Sequence, residues 1–236
     1  MKFKRVIALL AAMAMVFGLS STPVFARDYV QSWVSCCGNI TANGTHDCSV
    51  GRVQMSSNLN TGNFSVTWQT KIQGRGFNNL QGVGWRTGRD NRVMGYNAGS
   101  FNHTSGSTGC TYLTAYGWFR SPLTEWYVVD RWANYGNTTG TNHGTVSVDG
   151  GTYNVISERM TGANITGNGP FLKIKSVRNA QRPIGQNNTV TFQTHVNRWR
   201  QVSNPDFRNL SQHDYQTIII EGFQSSGNAN VTMWGN

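Results

Sequence analysis

The chain holds only three glutamates, and two of them sit in aromatic, strand-like settings: Pro122-Leu123-Thr124-Glu125-Trp126-Tyr127 and Ile220-Glu221-Gly222-Phe223-Gln224-Ser225-Ser226-Gly227. Cleavage of a sugar polymer needs two carboxyl groups in different states. One stays protonated as an acid, and the other stays ionised as a nucleophile or base. Either motif alone reads equally well as a solvated charge on a strand, because strands tolerate exposed glutamate and aromatics are common in sheets. Together they favour catalysis.

The elements that must position these acids read as strands. From Asn63 onward, short runs with period-two alternation recur between Gly- and Asn-rich turns, the pattern of an antiparallel sandwich or barrel. Tyr112, Thr114, Tyr116 and Trp118 fall on one face of a strand, and Glu125, Tyr127 and Val129 share a face of the next. Arg120-Ser121-Pro122 suits the hairpin between them, and Asp149-Gly150-Gly151 marks another turn. Tyr215, Thr217, Ile219, Glu221 and Phe223 alternate to one side of a strand apolar enough to lie centrally. Only Thr194–Trp199 reads as a helix, with Val196 and Trp199 on one face and Asn204-Pro205 closing it, placed to cover the back of the sheet.

Composition agrees with this all-β reading: charged residues are 13% of the chain against about 25% in ordinary globular proteins, and helix formers are sparse. Residues 1–26 carry Lys2, Lys4 and Arg5, an apolar run from Val6 to Leu19, and Val24-Phe25-Ala26 before Arg27, the form of a secretory signal peptide. The apolar run is shorter than the ~20 residues a membrane span needs, so a secreted, extracellular protein is expected, with no membrane attachment after cleavage. Residues 27–236 then form a single catalytic domain; about 210 residues suffice for one core, and no linker divides them. The formal charge is +10, and the leader's three basic residues account for three of it, leaving +7. Those cations are scattered singly, which argues against nucleic-acid binding and fits an acidic polysaccharide better. Cys36, Cys37, Cys48 and Cys110 are available for disulfides in an oxidising compartment. Cys36 and Cys37 are poor partners for each other, so one of them bridging to Cys48 is expected; a zinc site using His46 is the weaker alternative.

Taken in order, Tyr29-Val30-Gln31-Ser32-Trp33, Gly82-Val83-Gly84-Trp85, Tyr96-Asn97-Ala98-Gly99, Tyr116-Gly117-Trp118, Asp149-Gly150-Gly151-Thr152-Tyr153, Ser176-Val177-Arg178 and both glutamate motifs resemble glycoside hydrolase family 11. These are small secreted endo-1,4-β-xylanases, and the likeness spans nearly all of residues 27–236. It implies a β-jelly-roll of two curved antiparallel sheets forming a cleft, with one short helix. It implies a monomer without metal or organic cofactor, acting on xylan or a related β-1,4-linked polysaccharide. Glu125 matches the nucleophile and Glu221 the general acid/base of a retaining double displacement. Tyr116 and Tyr127 match tyrosines that bond the sugar and the nucleophile, and Trp33 and Trp118 match aromatic subsite residues that stack on pyranose faces. Arg159 matches an arginine near the cleft, Ile165 lies at the tip of the thumb loop above it, and Tyr96, Tyr112 and Tyr215 resemble further cleft tyrosines. Asn78 matches the residue beside the acid/base, where a neutral amide shares no proton with Glu221; an optimum near neutrality or above is expected, and one below about pH 4 would oppose that role. Asp149, Ser176 and His195 match a buried structural network that holds the histidine, not a hydrolase triad; Ser176 has no nucleophile-elbow setting.

Glu158 matches no family acid and reads as a surface charge. The thumb carries Ala163-Asn164-Ile165 where the family has Pro-Ser-Ile, and loss of proline should loosen the loop. Lys173 replaces a glutamine that reaches toward the nucleophile, so a cation would hold Glu125 ionised in an ion pair and make it less nucleophilic. The Cys-bearing N-terminal region and an insertion near residues 69–77 also depart from the pattern. Two readings therefore stand: an active endo-xylanase, favoured because both glutamates are present, and a weakly active or non-catalytic xylan- or wall-binding relative.

Overall fold

The structure is a computed structural model that describes residues 27–104, 109–134 and 139–235; the expected leader at residues 1–26 lies outside them. Among the described residues the strands are β1 Tyr29–Val34, β2 Gly38–Asn39, β3 Gly44–Asp47, β4 Gly51–Asn58, β5 Asn63–Thr70, β6 Asn78–Trp85, β7 Val93–His103, β8 Cys110–Ser121, β9 Leu123–Ala133, β10 Thr141–Val148, β11 Gly151–Asn164, β12 Gly167–Arg178, β13 Asn187–Thr191, β14 Ser211–Phe223 and β15 Gly227–Gly235. Helix α1 spans Phe192–Trp199, two residues longer at its start than the sequence pattern predicts, and Pro205–Phe207 makes a 3-10 turn. No helix of the described residues is long and apolar enough to cross a membrane.

The strands form two sheets. One has nine, in the order β10-β11-β12-β9-β8-β14-β6-β1-β2, and the other six, in the order β13-β7-β15-β5-β4-β3. Their facing sides enclose the main core, which includes Phe64, Trp68, Phe119, Trp126, Ile218, Val231 and Met233. A second apolar cluster, with Leu80, Tyr112, Tyr116, Trp118, Tyr127, Phe171, Tyr215 and Ile219, lies on the other face of the larger sheet. Such a sheet is buried on both faces, and its central strands read accordingly: β8 is buried almost continuously from Thr111 to Phe119. Curvature depends on close backbone approach. A Cβ at Gly82 would stand 2.0 Å from the Ile218 carbonyl oxygen and one at Gly84 2.2 Å from that of Gln216, so β6 meets β14 at those points only as glycine. The Asp149-Gly150 turn joins β10 to β11 with φ of 51° and 68°, the conformation that two-residue hairpin turns require.

Helix α1 closes the end of the core, as its apolar face predicts. Phe192 packs 4.4 Å from Trp126 between ring centres, and the Trp199 indole donates to Ser176 Oγ at 2.9 Å. Asp149 fastens the start of the helix, accepting from Thr191 N at 2.6 Å and from Thr191 Oγ1 at 2.7 Å. The expected Asp149–Ser176–His195 network is therefore not formed: the aspartate and the serine are spent on other partners. Neither ring nitrogen of His195 has a hydrogen-bond partner among the described residues.

Burial, with the Arg182 cation adding to it, pushes the His195 pKa down to about 3. An unfolded chain takes up that proton near pH 6.5, whereas the native state refuses it until about pH 3. The stabilisation from keeping His195 neutral is thus complete above about pH 6.5 and declines by about 1.4 kcal/mol per unit as pH falls toward 3. In urea unfolding at pH 7 and pH 4, His195→Phe should lose about 3 kcal/mol less than the wild type between the two conditions. Equal losses would contradict this.

One disulfide is present among the described residues, Cys36–Cys48, which ties the β1–β2 turn of the larger sheet to the β3–β4 turn of the smaller. Cys37 and Cys110 are free thiols. The zinc alternative finds no support, since Cys48 is consumed by the bridge and His46 Nε2 meets the Thr41 carbonyl oxygen at 3.1 Å.

Candidate active site

Strand register decides which side chains share a face. Glu125 on β9 stands opposite Trp118 on β8, and Glu221 on β14 stands opposite Tyr112 on the same β8. Positions 112 and 118 have the same parity, so both glutamates point to one face of the sheet. That face lines a cavity of about 540 Å³ that includes Glu125, Glu221, Tyr29, Trp33, Asn78, Tyr116, Trp118, Tyr127, Ile165, Lys173 and Tyr215.

Within it, Glu125 is held at both oxygens. Its Oε1 accepts from the hydroxyls of Tyr116 at 2.9 Å and Tyr127 at 3.0 Å, and Lys173 Nζ stands 3.2 Å from Oε2. The Trp118 indole donates to the Tyr116 hydroxyl at 2.9 Å, which fixes that phenol in turn. Burial and the adjacent Glu125 raise the Tyr116 and Tyr127 phenols well above their ordinary range, so both remain donors at any working pH. Burial alone would lower Lys173, but the carboxylates of Glu125 and Glu221 and the direct contact with Glu125 hold it above its usual value. Glu125 thus sits among three hydrogen-bond donors.

The surroundings of Glu221 differ. Burial raises its pKa and the charge of Glu125 adds to that, while Lys173 and hydrogen bonds from Asn78 and Tyr127 oppose it, with a net rise. Asn78 Nδ2 donates to Glu221 Oε1 at 3.1 Å. The two neighbouring carboxyls thus sit in unlike environments, Glu125 among hydrogen-bond donors and a cation, Glu221 buried with its pKa raised.

The family model for glycosyl hydrolases family 11 matches residues 39–232. The chain belongs to glycosyl hydrolases family 11. It is a glycoside hydrolase. Endo-1,4-β-xylanase 3 of Pyricularia oryzae is 38% identical over 174 residues, covering 73% of this chain and 67% of the relative. Ethylene-inducing xylanase 1 of Verticillium dahliae is 37% identical over 179 residues, covering 75% and 73%. Among solved structures, an endo-1,4-β-xylanase of Trichoderma reesei superposes with a TM-score of 0.68 at 31% identity, covering 88% of this chain and 98% of that one. The two-sheet architecture is that family's fold.

Against this glycosyl hydrolases family 11 frame, two expected cleft residues stand elsewhere. Tyr96 lies on β7 in the smaller sheet, is 2% exposed, and donates its hydroxyl to Asp130 Oδ2 at 2.8 Å in the main core. Asp130 follows Trp126 and Val128 to the core face by alternation along β9, and the bulge there sets Arg131, not Asp130, opposite Leu113. Arg159 points away from the cavity into solvent and pairs with Asp206. Its neighbours Glu158 and Met160 face the other side, because Glu158 pairs in register with Lys173. Tyr112 shares the cleft-side apolar cluster without lining the cavity.

Glu158 is not the surface charge its sequence setting predicts. It forms one rung with Lys173 and Glu125 across β11, β12 and β9, and it pairs with the buried Lys175 at 3.1 Å. Lys175 thereby satisfies Glu158, and Lys173 is left to Glu125. At the thumb tip, Asn164 Oδ1 accepts from Thr166 N at 2.8 Å and from Thr166 Oγ1 at 2.7 Å. Tyr29, Gln31 and Arg86 line the cavity without having been singled out from the sequence. The period-two spacing of Tyr29, Gln31 and Trp33 on β1 was the available signal.

Proposed function

We propose that this family 11 glycoside hydrolase is a secreted endo-1,4-β-xylanase that cuts internal xylosidic bonds with retention of configuration. The observation that carries the reading is the unlike treatment of two carboxyls in one cavity: Glu125 surrounded by donors, Glu221 buried with a raised pKa. Glu125 attacks the anomeric carbon through an oxocarbenium-like transition state while Glu221 protonates the departing oxygen; Glu221 then takes a proton from the water that releases the xylosyl-enzyme. Tyr127 supports the short separation a retaining mechanism needs, since its hydroxyl bonds Glu125 and also lies close enough to Glu221 to hold that pKa down. The xylanases to which the chain is similar support xylan as substrate, and the leader-like residues 1–26 support secretion. Digestion of a panel of β-1,4-linked polysaccharides tests it: short xylo-oligomers should appear from xylan, with little release from cellulose or mannan. Binding to xylan without new reducing ends at any pH would refute it.

The ion pair of Lys173 with Glu125 favours the slower end of that reading. A cation that stabilises the free carboxylate opposes its attack, yet helps it leave when the covalent intermediate is hydrolysed. Lys173→Gln is therefore expected to speed intermediate formation and slow its hydrolysis, each by roughly tenfold, the scale of one charged hydrogen bond. Rapid-quench kinetics with an aryl xylobioside separate the steps; a change of both in the same direction would contradict it.

The raised pKa of Glu221 places the alkaline limb of activity above the ordinary carboxylate range, because the acid must be protonated to donate. Asn78→Asp would add a carboxyl that shares the proton. The form with the proton on the aspartate cannot serve the leaving group, so activity then requires a lower pH at which both are protonated. The optimum should move acidward by about one unit in a pH–kcat/KM profile; an unmoved profile would exclude Asn78 from tuning Glu221.

A further inference from the structure

Three cations line the cavity besides the reacting groups, and two are already matched: Lys173 by Glu125, and Arg120 by an ion pair with Asp214. Arg86 is not. Among the described residues it enters no ion pair; its guanidinium lies exposed over the Tyr29 ring, 5.3 Å from the centroid. Tyr29 in turn stacks on Tyr215 at 4.9 Å with the planes 18° apart. A guanidinium that lies over an aromatic ring without an ion-pair partner keeps its N–H groups available to a planar carboxylate.

A xylan backbone is uncharged and gives such a cation nothing to pair with. We infer that Arg86 reads the carboxylate of a uronic acid branch on the xylan chain, making this end of the cleft a subsite for acid-substituted substrate. The inference rests on the xylanase reading above. Its position fits a branch and not the reacting sugar: Tyr29 and Tyr215 stand between Arg86 and Tyr116, whose ring centre is 5.9 Å from that of Tyr215 and whose hydroxyl bonds Glu125. The decorated unit is thus removed from the bond being cut. The formal charge of +7 on residues 27–236 favours the approach of a polyanionic polymer in general.

The test compares kcat/KM on glucuronoxylan with kcat/KM on the same polymer after chemical reduction of its carboxyl groups. The wild type should prefer the acidic polymer by about tenfold at low salt, with the preference shrinking in about 0.5 M NaCl because the contact is exposed. Arg86→Gln should bring the ratio close to one. A wild-type ratio of one, or a ratio unchanged in Arg86→Gln, overturns the branch subsite while leaving the xylanase reading in place. Hydrolysis of neither polymer overturns the xylanase reading, and this inference with it.

Discussion

Glu125→Ala is expected to lower kcat on xylan by about 10⁴- to 10⁶-fold while the protein still folds and binds the polymer. The carboxylate is held by two phenols and an ammonium, all of which survive the substitution, so the surrounding wall remains and the attacking carboxylate is what is lost. That permits a test no structural role would pass. Azide can enter the space left by the side chain and attack the anomeric carbon of an activated aryl xylobioside from the same side, giving an α-xylosyl azide. Residual activity within tenfold of the wild type, or no azide product, would remove Glu125 from the nucleophile's role.

Glu221→Ala comes second, with an expected loss of about 10²- to 10⁴-fold on xylan, the range general acid catalysis supplies. Here the effect depends on the leaving group. An alkoxide cannot depart without a proton, whereas a dinitrophenolate can, so intermediate formation from a dinitrophenyl xylobioside should remain close to the wild-type rate. Azide should then intercept the intermediate from the other face and yield the β-azide. A uniform loss on both substrates would show that Glu221 acts by packing and not as a proton donor.

Much of this site is legible in the chain itself, because a strand's period of two is arithmetic. Glu125 and Tyr127, and Tyr116 and Trp118, had to share faces once they lay on strands, and β14 was apolar enough to be central. What local pattern does not carry is which strand lies beside which. Tyr96 has the neighbours of a cleft tyrosine but belongs to the other sheet, and no alternation within β7 says so. Arg159 is off by a single position: parity is fixed by its partner strand, where Lys173 faces Glu158, and Arg159 follows to the opposite side. The same rung turned Glu158 from a solvated charge into a half-buried partner of the buried Lys175. The Lys173–Glu125 contact arises from the parallel pairing of β12 with β9, which brings residues far apart in the chain into register. His195 shows the reverse limit: its burial follows from the helix pattern, but its lack of hydrogen-bond partners is a tertiary fact.

Two carboxyls that cooperate in a double displacement on one face of a curved sheet leave a stereochemical signature. Proton NMR of xylohexaose digestion, recorded before the products mutarotate, reports it directly. The first new reducing ends are expected to be β-anomers, equilibrating later to the mixture; α-anomers appearing first would mean a single inverting displacement by water and would rule out Glu125 as nucleophile.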